Sequence, residues 1–305
     1  MMSANGDATV LESPCLTARQ AAAYLHLNEK KLYELANSRE IPAARVGGKW
    51  LFPRRLLDDW LLEQAHGGLF TDRLLIAGSD DPLLSAAVHT LGPDLGGDAL
   101  VAWSPTGTRA GLEQLARRRV DLAALHWGGA EHSAVQHATL LRAWPAHARW
   151  TLVRVALRDQ GVLLRPDLGI GRLETLAGFD VRWAMRRAGS GSQHFLVSAL
   201  KSHGFRPEDC SVVATPPGER EAAALLVRNE ADCAPGCRAT AREYGLAFLP
   251  LGRVALDLAL PKEIFFRHLF QQLLARLGSA ELRDLAARLG GYDLTPLGSV
   301  LPLHA

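Results

Sequence analysis

The chain has 305 residues, 34 Lys plus Arg against 32 Asp plus Glu, and 48% hydrophobic with 22% charged residues. Those values exclude a disordered chain or a coiled coil and leave room for two or more buried cores. No window offers the roughly 18 consecutive apolar residues of a membrane span, and Met1-Met2-Ser3-Ala4-Asn5-Gly6-Asp7 lacks the basic-then-apolar pattern of a leader, so a cytoplasmic protein with no membrane partner is expected. Cys15, Cys210, Cys233 and Cys237 are too scattered for a disulfide framework and are expected to be thiols.

Charge is unevenly spread. Between Leu16 and Leu62, Arg19, Lys30, Lys31, Arg39, Arg45, Lys49, Arg54 and Arg55 face only Glu29, Glu34, Glu40, Asp58 and Asp59, whereas the remaining chain is almost neutral. A basic first module that meets a polyanion, followed by a larger one with a different task, accounts for this. Residues 1–15 are expected to be a flexible N-terminus, 16–64 the basic domain, 65–72 a linker opening after His66-Gly67-Gly68, and 73–305 the second domain.

Within the first module, Thr17-Ala18-Arg19-Gln20 reads as a capping box that starts a helix with Ala21, Ala22 and Leu25 on its apolar face. Asn28 caps a second helix that turns Leu32, Leu35 and Ala36 inward and Lys30, Lys31 and Tyr33 outward. Two short helices joined by a tight turn form a helix-turn-helix, here without a glycine in the turn. Ile41 to Pro53 then predicts two strands about Gly47-Gly48 and a closing helix opened by Pro53. Trp50 and Phe52 can pack under that hairpin, while Trp60 and Leu61 are assigned to the packing of the closing helix. The candidate DNA contacts are Lys30, Lys31 and Tyr33 on the reading helix, Arg45 and Lys49 beside the hairpin turn, and Arg54. Cap, turn, Ile41-Pro42 and Gly47-Gly48-Lys49-Trp50-Leu51-Phe52 together resemble the winged helix-turn-helix of the MerR and excisionase families. The resemblance implies double-stranded DNA as the partner. A small helical domain that binds protein is the bland alternative.

From Arg73 onward, apolar runs alternate with amphipathic stretches. Leu74–Ala77, Leu100–Trp103 and Leu122–Leu125 read as strands with helices at Leu83–Leu91 and Gly111–Arg118 between them. Trp150–Leu157 and Val162–Leu164 read as two further strands. A second series takes in Val181–Met185, a helix at Gln193–His203, Val212–Ala214, a helix at Glu219–Arg228 and Ala231–Ala234, and the chain returns through Leu246–Leu251 to helices between Ile264 and Leu289. This pattern predicts two α/β lobes, each with a parallel sheet and crossover helices, around a cleft.

In such sheets ligands bind beyond the carboxyl ends of the strands, where helix N-termini present free amides. Hydroxyls stand at three of these junctions: Ser79, then Ser104 and Thr106, then Ser190 and Ser192. With His126 at the end of its strand they form the candidate ligand site, although each Ser or Thr is equally well an ordinary helix cap. Arg186 or Arg187 is the candidate source of positive charge, or else the partner of a nearby carboxylate.

The junctions, with Gly78-Ser79-Asp80-Asp81-Pro82, Gly111-Leu112-Glu113-Gln114-Leu115, Gly161-Val162-Leu163-Leu164, Gly189-Ser190-Gly191-Ser192 and Gly290-Gly291-Tyr292-Asp293, resemble the type II periplasmic-binding-protein fold. The resemblance extends to the cytosolic sensor domains of that fold that follow excisionase-type heads. Its relatives that bind molybdate and tungstate imply an oxyanion or other small anionic ligand as effector, with no other cofactor and no metal, and a site of hydroxyls and amides fits a neutral metabolite at least as well. Two departures stand out. Ser192 and Gln193 replace the usual Thr and Arg, and Trp127-Gly128-Gly129-Ala130-Glu131-His132 breaks the family pattern after His126.

Catalytic motifs are missing. His132 and His137 lack the spacing of a His-Glu-x-x-His helix, and there is no Gly-x-Ser-x-Gly elbow, Walker A loop or dinucleotide fingerprint. Cys233 and Cys237 have no second pair at zinc spacing. The expectation is therefore α/β, a winged helix-turn-helix followed by a two-lobed binding-protein-like domain: a non-enzymatic, homodimeric transcription regulator under control of a small ligand. An enzyme with an appended regulatory head and an adaptor that binds no DNA are the rivals.

Overall fold

The computed structural model describes residues 14–302 except 39, 67–72, 96–98 and 179. The chain divides into two units, Met1–Thr71 and Asp72–Ala305.

The first unit contains β1 (Cys15–Thr17), α1 (Ala18–Tyr24), α2 (Glu29–Asn37), β2 (Ala44–Val46), β3 (Lys49–Pro53) and α3 (Arg54–His66). Both expected caps form: Thr17 and Gln20 close a reciprocal box, and Asn28 accepts from the Lys31 amide at 2.7 Å. In the glycine-free turn, His26 adopts the left-handed conformation with φ 53°, a position histidine tolerates better than most side chains. Gly47 and Gly48 both have positive φ, which the tight β2–β3 connection requires. Leu32, Phe52, Leu57, Ala21 and Ile41 bury against one another, whereas Leu61 is exposed rather than packed. The strand β1 has no counterpart in the local pattern. Cys15, expected in the flexible terminus, pairs with Pro53, so the wing is a three-stranded sheet in the order β1-β3-β2. Helix α3 also continues to His66, past the expected linker boundary; residues 1–13 and 67–72 lie outside the described residues.

The second unit runs β4 (Arg73–Gly78), α4 (Pro82–Asp94), β5 (Leu100–Ser104), α5 (Thr108–Ala116), β6 (Leu122–Leu125), α6 (Ser133–Arg142), β7 (Trp150–Leu164), α7 (Leu173–Gly178) and β8 (Arg182–Ala184). It continues with α8 (Gly191–Ser202), β9 (Ser211–Ala214), α9 (Glu219–Val227), β10 (Cys233–Cys237), α10 (Arg238–Glu243), β11 (Ala247–Pro261), α11 (Lys262–Phe265), α12 (His268–Leu277), α13 (Ala280–Leu289), β12 (Tyr292–Asp293) and β13 (Val300–Leu301). The four cysteines are free thiols.

One sheet in the order β5-β4-β6-β11-β7-β10-β8-β9 spans both lobes, with β12 and β13 paired to β7. This corrects the expectation of a parallel sheet in each lobe. The outer pairs are parallel, but β6–β11, β11–β7 and β7–β10 are antiparallel. The strands expected at Trp150–Leu157 and Val162–Leu164 are one 15-residue strand, β7, which runs beside the equally long β11 from one lobe into the other. Their register shifts between Pro250 and Gly252, opposite Gly161 and Gln160. An extra residue there bends the ladder and marks the boundary between lobes.

Each lobe has its own apolar core. Leu74, Ile76, Leu83, Leu84, Leu256 and Phe270 belong to the first, and Val162, Leu164, Trp183, Leu196 and Leu200 to the second. At the head of the first lobe, a Cβ on Gly78 would lie 2.1 Å from the Ala124 carbonyl and one on Gly111 would lie 2.5 Å from the Gly78 Cα. Only glycine lets β4, β6 and α5 approach so closely, and this packing brings their ends together.

Candidate functional site

Five strand-to-helix junctions of the second unit meet in one buried polar network. From the first lobe come Ser79, Asp80 and Asp81 between β4 and α4, Thr108 at the start of α5, and His126 after β6. The second lobe contributes Ser190 and Ser192 at the start of α8 and Glu219 at the start of α9. Arg158 and Gln160, two positions apart on β7 and so on one face of that strand, lie at the lobe boundary. Helix starts leave amides unpaired, which suits them to hold acceptors.

The Ser79 Oγ is 2.8 Å from Thr108 Oγ1 and 3.1 Å from His126 Nδ1, and the Thr108 hydroxyl donates to the His126 carbonyl at 3.1 Å. Arg158 Nη2 approaches His126 Nδ1 at 3.1 Å, which makes that nitrogen the acceptor and places the ring proton on Nε2. Nε2 then faces Ser192 Oγ at 3.4 Å, and Ser192 donates to Glu219 Oε2 at 2.8 Å. The contacts pass from one lobe to the other, as does the Arg109 amide donating to the Gly189 carbonyl at 3.1 Å. A Cβ on Gly191 would be 2.2 Å from the His126 carbonyl, so that glycine lets the lobes meet.

Around this chain, Arg158 Nη1 donates to Asp81 Oδ2 at 2.8 Å and to the Asp80 carbonyl at 3.0 Å. Glu219 Oε1 accepts from the Cys237 amide and the Thr240 hydroxyl, each at 2.8 Å. Burial would raise the Glu219 carboxyl, but Arg158, the Cys237 amide and Arg186 outweigh it and hold the group below its usual range. Asp80 is pushed the other way, by burial first and by Glu219 next. Burial, then the Arg158 charge, press the His126 imidazole well below its ordinary value, so it is neutral in the folded chain.

That depression gives a pH prediction. The unfolded chain takes up a proton on His126 near its ordinary value of about 6.5 while the fold resists it, so this contribution is complete above that pH and drains away below it. Stability from urea melts is expected to fall by up to about 1.4 kcal/mol per pH unit for this one group below about pH 6.5. The His126→Gln variant should show a correspondingly flatter difference curve, and parallel curves for the two proteins would contradict the assignment.

The residues named from sequence separate into two sets. Ser79, His126, Ser190 and Ser192 are buried and lie in or beside the network, with Ser190 also capping α8 through the Gln193 amide. Ser104 and Thr106 are exposed and lie outside it, and their junction reaches inward only through Thr108. Arg186 is buried, donating to the Pro217 carbonyl at 2.6 Å, while Arg187 is exposed. Sequence reasoning missed Thr108, Arg158, Gln160, Asp80, Asp81 and Glu219. One signal was available: Arg154, Arg158 and Gln160 interrupt an apolar strand, where a charge is costly unless it is paired. His137, rejected as a metal ligand, instead sits between the Trp127 amide at 3.0 Å and Asp257 at 2.7 Å, which also pairs with Arg154. No group of His, Cys, Asp and Glu among the described residues is arranged to hold a metal.

In the first unit Lys30, Lys31, Tyr33, Arg45 and Lys49 are exposed. Lys31 Nζ is 3.5 Å from Glu34, an exposed pair worth little. Arg54 is half-buried with its guanidinium 5.3 Å from the centre of the Tyr24 ring, and Tyr24 in turn donates to Asp58. Trp60 turns inward and donates to the Glu40 carbonyl at 2.8 Å.

Comparison with known proteins adds family and fold. Residues 15–65 match the helix-turn-helix domain family, and residues 94–278 match the PBP superfamily domain. Among solved structures, the hydrogen-peroxide-bound form of a mutant OxyR from Corynebacterium glutamicum is similar. It shares 15% identity over 89% of this chain and 90% of that one, with a TM-score of 0.52. The tungstate ABC transporter from Geobacter sulfurreducens shares 16% identity over 70% of this chain and 97% of that one, with a TM-score of 0.51. No curated protein gives a significant match. Likeness at these identities establishes the fold and leaves the ligand to the chemistry of the site.

Proposed function

The chain belongs to the PBP superfamily, and from that premise we propose that it is a one-component, ligand-sensing transcription regulator. The helix-turn-helix would bind operator DNA through Lys30, Lys31, Tyr33, Arg45 and Lys49, with Arg54 supporting from α3. The effector would bind in the second unit between the lobes, at Ser79, Thr108, His126, Ser190 and Ser192. The observation that carries the reading is the buried polar network joining both lobes at the strand ends, in a chain that begins with a helix-turn-helix.

A ligand that prefers one degree of lobe closure shifts the population toward it. In a homodimer that shift would alter the spacing of two reading heads, which must match half-sites about one helical turn apart. The site is assigned binding rather than turnover. No helix among the described residues is long and apolar enough to cross a membrane, in keeping with a regulator that reaches DNA in the cytoplasm. The hydroxyls and helix-start amides are donors of the kind a molybdate or tungstate ion needs, whereas the buried carboxylates beside them are not.

Two alanine substitutions separate ligand contact from helix capping. Ser190 caps α8, so Ser190→Ala is expected to cost about 1 kcal/mol of stability. Ser79 caps no helix and spends its hydroxyl on Thr108 and His126. Ser79→Ala should therefore leave helix capping alone and, by removing the hydroxyl that holds Thr108 and His126 in place within the proposed site, weaken an effector found by thermal-shift screening by roughly tenfold. Equal operator affinity with and without that effector at saturation would remove the sensing role.

A further inference from the structure

The charges of the interlobe network do not suit an anion. Asp80, Asp81 and Glu219 are buried with Arg158 and Arg186, at exposures of 5, 0, 1, 1 and 6%. Arg220 adds a third guanidinium at the margin but divides it between Ser85 at 3.0 Å and Glu243 at 2.9 Å. His126 contributes no positive charge. Three carboxylates thus meet at most three guanidiniums, and a dianion such as molybdate would enter a low-dielectric site with no surplus positive charge to receive it.

The polar atoms left over are of both kinds. Asp80 Oδ1 is a buried acceptor without a hydrogen-bond partner among the described residues, although Asp80 Oδ2 accepts from the Arg220 amide at 3.3 Å. Arg158 Nε and Arg186 Nε are buried donors without partners among the described residues, and Gln160, fully buried two positions from Arg158 on β7, has neither amide atom paired among them. Native structures rarely leave buried groups in this condition, because each costs the desolvation of its hydrogen-bonding capacity. A bare oxyanion could satisfy the guanidinium nitrogens but offers nothing to Asp80 Oδ1 or Gln160 Oε1.

Resting on the interlobe effector site proposed above, we infer that its ligand is a small zwitterion of the amino-acid class. Its carboxylate accepts from Arg158 and Arg186, and its ammonium donates to Asp80. Such a molecule brings no net charge to a cluster that is already balanced, and it supplies the donor and the acceptor that the buried atoms lack. Glu219, within electrostatic reach of Asp80, adds to the attraction for an N–H cation. The ligand must also be small, because His126, Gly191 and Ser192 already bring the lobes into contact.

The test uses the full chain and calorimetric titration with the individual common amino acids, glycine betaine, an uncharged polyol, molybdate, tungstate and sulfate. At least one free amino acid is expected to bind. Glycine betaine keeps the two charges but has no N–H to donate, and should bind roughly tenfold more weakly or not at all. Asp80→Asn, isosteric and checked for folding by its melting curve, should weaken the amino acid by roughly tenfold or more, since a charge-assisted bond is lost. The betaine comparison needs no variant and stands if Asp80→Asn fails to fold. Binding of molybdate, tungstate, sulfate or the polyol in place of every amino acid, or no binding by the panel at all, would overturn the zwitterion assignment. An amino acid that binds with affinity unchanged in both Ser79→Ala and Asp80→Asn would instead overturn the interlobe location itself.

Discussion

Replacing Lys30, Lys31, Arg45 and Lys49 together by alanine is expected to lower operator affinity by roughly a hundredfold or more at moderate salt, while leaving the second unit's ligand binding intact. All four side chains are exposed, two on the helix that follows the turn and two beside the Gly47-Gly48 wing. Phosphate contacts dominate such affinity through counterion release. The slope of log K against log salt should therefore become shallower by about 0.9 for each phosphate that is no longer neutralised. Fluorescence anisotropy on an operator fragment at several salt concentrations measures both quantities. Unchanged affinity and slope would mean that these cations are merely solvated, the bland reading of a basic face. Fold stability should change little, because the core of this unit is built from Leu32, Phe52, Leu57 and their neighbours and not from the cations.

The second large effect is expected at Asp81. Its carboxylate accepts from the Leu84 amide at 2.8 Å as the cap of α4, from Arg158 at 2.8 Å and from the Tyr292 hydroxyl at 2.9 Å. Asp81→Asn keeps a capping oxygen but removes the charge that opposes a guanidinium only 1% exposed. The loss should be roughly 3–5 kcal/mol, the usual result of leaving a buried charge without its partner. Adding Arg158→Met should restore a large part, because the pair is removed together and an apolar chain fills the space. Urea melts of the wild type, the single variant and the double variant test this. If the double variant is no more stable than the single, the Arg158 charge is compensated elsewhere. The exposed Lys31–Glu34 pair offers a contrast, with an expected effect below about 0.5 kcal/mol.

The pairing of Asp81 with Arg158 joins residues that local sequence could not connect. Asp81 was visible as part of Gly78-Ser79-Asp80-Asp81-Pro82, but its partner lies 77 positions away in the chain. The candidate site was legible as strand-end chemistry, and the hydroxyls of Ser79 and Ser192 do join a buried network. Its charges were not legible, since Arg158 stands between two runs that read as separate strands and Glu219 reads as the acidic first turn of an ordinary helix.

What the sequence determined by itself is what depends on a few neighbouring residues. Thr17 with Gln20 and Asn28 with Lys31 close caps within three positions, and Gly47-Gly48 supplies the backbone that so tight a turn demands. Apolar periodicity placed most strands and helices because burial of one face is a property of each segment alone. Strand order and register belong to the tertiary structure, since they follow from which segments meet after distant parts of the chain have folded back. Because β5 became an edge strand, Ser104 and Thr106 ended in solvent, while Gly78 and Gly111 drew the start of α5 close enough for Thr108 to reach Ser79. Because β7 and β11 paired along their whole lengths, Arg158 and Gln160 were carried to the lobe boundary, where Asp81, His126 and Glu219 arrive from three other junctions. Hydrogen bonding between distant segments, which no local pattern records, decided the chemistry of the site.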